Sequence, residues 1–386
     1  MENKRLHFID GYKGLLCFMI MQGHFWNIYR LTSGVSPLDH GGMDGFVQWG
    51  SKWFLIASFW LYAFLIISGY LLSRSKVKSI PDLLIKTVSR FLRLFIPILG
   101  ACLVIFVLAK TVGFHAQETR QFFKSTWFQK FYQEAFVWYD VITESFRAMF
   151  NGACEFNAPF WVIKDMLLSS VLIYGCKLLA HALQKKLRWI PRLLPLLLFL
   201  GYFVQDSQVV AACLAGFLIG YYEDDVKLFT EKFWKFCLLF AMLYGGYMWL
   251  MSRGVRPAVF DKVTGYTLIH CFLLITLNRF SVLQRIFSAK PFFLAGKISF
   301  GVYAFHWPVI CSVGSLLLIL GIGQSWDPVV TVLTAFFGSV VATVALSVGY
   351  LFTVEKFGDF LVKQVRSLGG LLTREKPIAE ATKDGR

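Results

Sequence analysis

The chain is a succession of long apolar runs separated by short basic blocks, and that alternation leaves few folds open. With a window of about 19 residues, the runs fall near 12 to 29, 53 to 73, 91 to 109, 160 to 180, 189 to 204, 208 to 222, 233 to 251, 263 to 278, 298 to 319 and 328 to 353. Lipid offers backbone amides no water, so each run must pair its own amides, and a helix does that. The expected fold is therefore all-α: a polytopic integral membrane bundle of about ten transmembrane helices. The fifth, sixth and eighth runs are shorter than the roughly 20 residues a bilayer asks for and are expected to be tilted or thinly flanked. Of the 386 residues, 56% are hydrophobic and 16% charged, too apolar for a soluble core. The net charge of +16 sits in blocks between apolar runs, which speaks for membrane lipids and against nucleic acid as a partner.

Orientation follows from where lysine and arginine are retained, on the cytoplasmic side. The blocks "SRSKVKSIPDLLIKTVSRFLR", "QKKLRWIPR" and "NRFSVLQRIFSAK" follow the second, fourth and eighth runs, and Lys356, Lys363, Arg366, Arg374 and Lys376 follow the tenth. The loop after run one, with only Arg30 and Lys52 against Asp39 and Asp44, and "GQSWD" after run nine are expected outside. Both termini are then cytoplasmic, with residues 1–353 as the membrane domain and 354–386 as a polar cytoplasmic tail. The first run lacks a small-residue cleavage site and is expected to stay in the protein.

The longest connection, 114–158, reads as amphipathic helices on the outer interface, with Phe123, Trp127, Phe131 and Phe136 interleaved with Lys124, Lys130, Glu134 and Arg147. It is a packing segment or a lid. Eight cysteines without a C-x-x-C pair read as small apolar residues, and the histidines form no close ligand pair, so no metal site is expected.

Lys13 and His24 break the pattern inside run one. They are eleven positions apart, on one helix face, and roughly 16 Å apart along the axis. With Lys13 at the inner edge, His24 lies just beyond the middle of a core about 30 Å thick. From this run alone two readings stand together. Lys13 snorkels and His24 hydrogen-bonds across helices or joins Trp26 in an aromatic belt, or the pair belongs to a site. His306 is nine residues beyond Lys297, roughly 13 Å deeper, so two histidines from different helices reach comparable depth. Pro308 loosens the backbone beside them.

Four stretches in order along the chain resemble the membrane acyltransferase-3 family: "FIDGYKGLLCFMIMQGH", "FLIISGYLLSR", "RFLRLFIP" and "AGKISFGVYAFHWPV". One position departs from its pattern, since "NAPFWVIKDML" has Met166 where a glutamate is usual and Asp165 one residue earlier. The resemblance implies transfer of an acyl group, acetyl above all, from cytoplasmic acyl-coenzyme A as co-substrate to a hydroxyl of an extracytoplasmic acceptor. That acceptor is a cell-surface polysaccharide or lipid-linked sugar, and the location a plasma membrane, the bacterial inner membrane. On this reading His24 is the base or carries an acyl-imidazole, His306 stabilises charge or orients the acceptor, and Asp165 stands in for the glutamate. Lys13, Arg90 and Arg93 hold the donor's phosphates, the two arginines being three apart on one face. Tyr303 and Trp161 are assigned to substrate, and Trp127, Trp138 and Tyr139 offer rings for sugar stacking or for headgroup anchoring. Asp10 is placed to cap the first helix or to pair with Lys13. With only a polar tail after run ten, the acceptor is expected to approach the membrane site itself. A proton-coupled carrier using the two histidines, or a non-catalytic relative of the family, are the alternatives.

Overall fold

The computed structural model describes residues 6–30, 55–121, 130–133, 135–184, 189–205, 207–253 and 262–374. Among them the regular elements are all helical. Helices α1 (His7–Arg30), α2 (Ala57–Ser73) and α3 (Ile80–Thr111) carry the first three apolar runs. Then come α4 (Asp140–Phe150), α5 (Ile163–Leu183), α6 (Ile190–Val204), α7 (Gln208–Tyr221) and α8 (Glu223–Phe229). Helices α9 (Phe233–Ser252), α10 (Lys262–Arg279), α11 (Ser281–Ser288) and α12 (Lys290–Lys297) follow. The last are α13 (Ser299–Val309), α14 (Ser315–Gly323), α15 (Pro328–Tyr350) and α16 (Lys356–Arg374). One π-turn, Ile310–Gly314, joins α13 to α14 and another, Leu351–Glu355, joins α15 to α16.

Each of the ten apolar runs carries a helix, but fewer than ten are long and apolar enough to cross a membrane. Among the described residues five qualify by length and composition, or six if α10 and α11, bent by 93° at their junction, count as one span. Helices α2, α6 and α7 are apolar but shorter. Helix α1 stands outside both sets, its apolar content diluted by Asp10, Lys13, Gln22, His24 and Asn27.

Hydropathy misplaced the boundaries at the basic end. The block after run two, read as a loop, is helical from Ile80. Ser79 accepts the backbone N–H of Asp82 at 3.2 Å and the Asp82 carboxylate accepts that of Lys78 at 3.1 Å, with Pro81 in the first turn. This reciprocal cap starts a helix well before the apolar stretch begins. The block after run eight is likewise helical, as α11 and α12, and packs on the first half of α1. The segment read as a polar tail continues the last helix through the π-turn, and α16 lies along α3. The described part of the 114–158 connection packs on the bundle. Helix α4 packs lengthwise on α3, with Phe146 against Phe95 at 4.9 Å and Phe150 against Phe91 at 6.1 Å. Tyr132, Phe136 and Phe156 are buried, whereas Phe123, Lys124, Trp127 and Glu134 lie outside the described residues.

Two contacts set the frame around the site. Helices α2 and α7 touch through glycines: a Cβ on Gly69 would fall 1.7 Å from the Cys213 carbonyl oxygen, and one on Gly216 1.8 Å from that of Ile66. Neither backbone can give way, so Gly216→Val is expected to destabilise the fold by at least the roughly 1–3 kcal/mol of core overpacking. Thermal unfolding in detergent checks it, and a wild-type midpoint would remove the close approach as an explanation. The span Ser299–Gly323 forms the centre, with 67% of its apolar window buried, against α1, α3 and α15.

Candidate active site

Helix α1 is held in register by the short helices at the basic end. Tyr12 meets Phe287 at 5.2 Å and His7 meets Phe293 at 5.0 Å, both edge-on. Lys13 donates to Asp10 at 2.9 Å; Asp10 lies in the first turn of the helix and pairs with the lysine rather than capping. Three turns further along, His24 faces α13.

The histidine on α13 is set by a proline defect. Pro308 has no N–H, so the carbonyl four residues earlier, that of Ala304, loses its helical partner. The buried Asn157 fills the gap, its Nδ2 donating to the Ala304 carbonyl at 2.6 Å. Two residues on, the Pro159 carbonyl accepts from the Tyr303 hydroxyl. These two bonds clamp the 157–159 strand of chain to α13. Asn157→Ala would leave a buried carbonyl unpaired, a loss of about 1–3 kcal/mol, and is expected to lower thermal stability. Asn157→Asp, which keeps the shape but not the donor, should do the same; an unchanged melting profile in both would show that the carbonyl finds another partner.

His306 is fully buried, and its Nδ1 lies 3.0 Å from the Val302 carbonyl. A carbonyl only accepts, so Nδ1 carries the proton and Nε2 presents a lone pair, which has no hydrogen-bond partner among the described residues. The His24 ring stacks on that of His306 with centroids 5.2 Å apart and planes 26° from parallel. Trp307 meets His24 edge-on at 5.8 Å, and Phe131 from the long connection meets Trp307 at 5.5 Å. That connection therefore packs on the tryptophan that borders the pair.

A cavity of about 740 Å³ opens at the end where Lys13 lies. Asp10, Lys13, Arg74, Arg90, Arg93 and Glu355 line it, and Phe64, Phe300 and Tyr303 close it toward the bundle centre. Neither histidine lines it. Tyr303 stands between, its ring centroid 6.2 Å from that of His306. Of the cations, Arg74 is tied to both carboxylate oxygens of Glu223 at 3.0 Å, and Arg93 lies 3.9 Å from Asp359. Arg90 differs: its guanidinium donates to the hydroxyls of Ser170 at 3.0 Å and Ser68 at 3.2 Å and lies in no ion pair among the described residues.

Two assigned residues are not brought to this site. Asp165 is absent from the cavity lining and sits 4.0 Å from Lys164. Met166 lines the cavity instead, because one residue on a helix turns the side chain by about 100°. Trp161 is 45% exposed in a 3-10 turn and is absent from the lining as well. Trp138 and Tyr139 are exposed at the start of α4, and Trp127 lies outside the described residues. Sequence reasoning passed over Arg74, Glu355 and Asn157. Arg74 closes the quoted "FLIISGYLLSR" stretch, and Pro308 signalled an orphan carbonyl without naming its donor. Glu355 carried no signal that hydropathy or spacing can read.

An all-helical, multi-pass membrane protein, with paired imidazoles set behind a cation-lined cavity, is what these residues build. The pattern of the acyltransferase-3 family, described as an acyltransferase domain, matches residues 6–348. The chain belongs to that family and is a membrane acyltransferase. Comparison with curated proteins and with solved structures gives no match.

Proposed function

We propose that this acyltransferase moves an acyl group, acetyl above all, from cytoplasmic acyl-coenzyme A to a hydroxyl of an acceptor beyond the membrane, a cell-surface polysaccharide or a lipid-linked sugar. The cavity end is then cytoplasmic, both termini lie inside, and the membrane is the plasma membrane, a bacterial inner membrane. The observation that carries this reading is the order of parts along one axis. Lys13, Arg90 and Arg93 line the open cavity, Tyr303 closes it, and the His24 and His306 rings stack immediately behind. Phosphates suit the mouth and a thin thioester arm suits the passage. His24 takes the acceptor hydroxyl proton as the oxygen attacks the thioester carbon. The carbon–sulfur bond breaks, the ester forms, and the proton leaves on the coenzyme A thiol. Tyr303 has to turn aside for the thioester to arrive. On this reading the His306 Nε2 lone pair accepts from the His24 ring and steadies it, which the absence of another partner among the described residues supports.

Membranes holding the full chain, fed with acyl-labelled coenzyme A, test this: label is expected on a glycan or glycolipid as a base-labile ester. Met166 in the cavity wall favours a second reading, a relative that binds the donor without transferring from it. Donor binding without labelled product would select that reading.

A further inference from the structure

A second cavity, of about 600 Å³, lies at the same end of the bundle in a notch between the ends of α2, α5, α6 and α7. Five cations line it, Arg74, Lys76, Lys78, Lys177 and Arg192, against two carboxylates, Asp224 and Asp225. Arg74 is committed to Glu223 and Asp224, fully exposed, lies 3.8 Å from Lys227, which leaves Lys76, Lys78, Lys177 and Arg192 against Asp225. Lys177 is the anchor. It is half-buried, donates one proton to the Ser73 carbonyl at the end of α2, and lies in no ion pair among the described residues. Capping a helix terminus satisfies part of such a charge. A half-buried ammonium surrounded by other cations still lacks a counter-anion.

The apolar surface beside the notch says what kind of anion fits. Directly along α6 from Arg192 run Leu193, Leu196, Leu197 and Leu200, all exposed. Trp189, exposed at the start of α6, is the residue type that settles at a headgroup layer. The geometry points to a lipid site: the phosphate of an anionic phospholipid sits among Lys76, Lys78, Lys177 and Arg192, and its acyl chains lie along α6. The site stands whether or not the chain transfers acyl groups, because it uses none of the histidine pair.

Delipidated full-length protein, reloaded with phosphatidylglycerol or phosphatidylcholine and weighed with its retained lipid by native mass spectrometry, tests this. Phosphatidylglycerol is expected to be retained in preference, with retention falling about fivefold for each cation removed. Lys177→Gln should show the loss and Lys177→Arg should not. The double variant Lys76→Gln with Arg192→Gln removes exposed side chains that make no side-chain hydrogen bond or ion pair among the described residues, so it reads the site even where Lys177→Gln fails to fold. Pyrophosphate offered without lipid separates the two sources of phosphate. Variant-sensitive pyrophosphate binding together with equal retention of both lipids keeps the anion site and overturns its lipid occupant. Equal retention of both lipids by wild type and variants, with no pyrophosphate bound, overturns the site.

Discussion

Replacing His24 with alanine is expected to reduce acyl transfer in membranes by about 10²- to 10⁴-fold, the range that removing a positioned general base produces. The protein should still insert and run as a single species, because the residue is only partly buried and the space it leaves is walled by the His306 and Trp307 rings. Asp165→Asn is the contrast: a carboxylate outside the cavity lining is expected to leave transfer within about a factor of two, the range of ordinary surface changes. The two roles open to His24 separate in a quench experiment without acceptor. Label that stays on the wild-type chain and disappears in His24→Ala means an acyl-imidazole, and none on either means base catalysis. Turnover of His24→Ala close to wild type would move the chemistry to another group, with His306 Nε2 the first to test.

The second large effect concerns Arg90. Its guanidinium lines the cavity and holds only two serine hydroxyls, without an ion-pair partner among the described residues. Such a group is costly to fold around and gains most when an anion arrives. Arg90→Gln is expected to raise the donor concentration for half-maximal transfer by roughly 10- to 100-fold, the equivalent of one or two charge-assisted hydrogen bonds. Arg90→Lys should recover part of this, keeping charge but not the planar fork. The melting midpoint of Arg90→Gln should stay level or rise, since an uncompensated charge is gone. A fall in melting midpoint with unchanged donor dependence would make Arg90 a structural residue and move the phosphate clamp toward Lys13 and Arg93.

Much of the site was legible along the chain because depth in a helix is arithmetic. Eleven residues from Lys13 to His24 and nine from Lys297 to His306 put both rings at similar heights, and the structure stacks them 5.2 Å apart. What failed was angular. Asp165 and Met166 differ by one position, and spacing alone does not say which of two neighbours on α5 faces the cavity. The packing of α5 on α3 turns Met166 inward. Boundaries failed for another reason. Hydropathy averages over many residues, so it missed the cap at Ser79 and the short helices α11 and α12, which begin and end on local hydrogen bonds and prolines.

By itself the sequence determined that this is a helical membrane protein, which apolar runs become helices, and that a cation and an imidazole share one face of the first. These follow from backbone satisfaction in lipid and from the helical repeat, both local in the chain. Tertiary structure alone decided that Arg74 and Glu355 join the cavity, that Asn157 mends the break made by Pro308, and that Tyr303 stands between the cavity and the histidines. Asn157 and Ala304 are 147 positions apart and Arg74 and Glu355 come from opposite ends of the chain, and which side chains meet depends on how each helix is rotated. That rotation is set by the packing of all its neighbours at once.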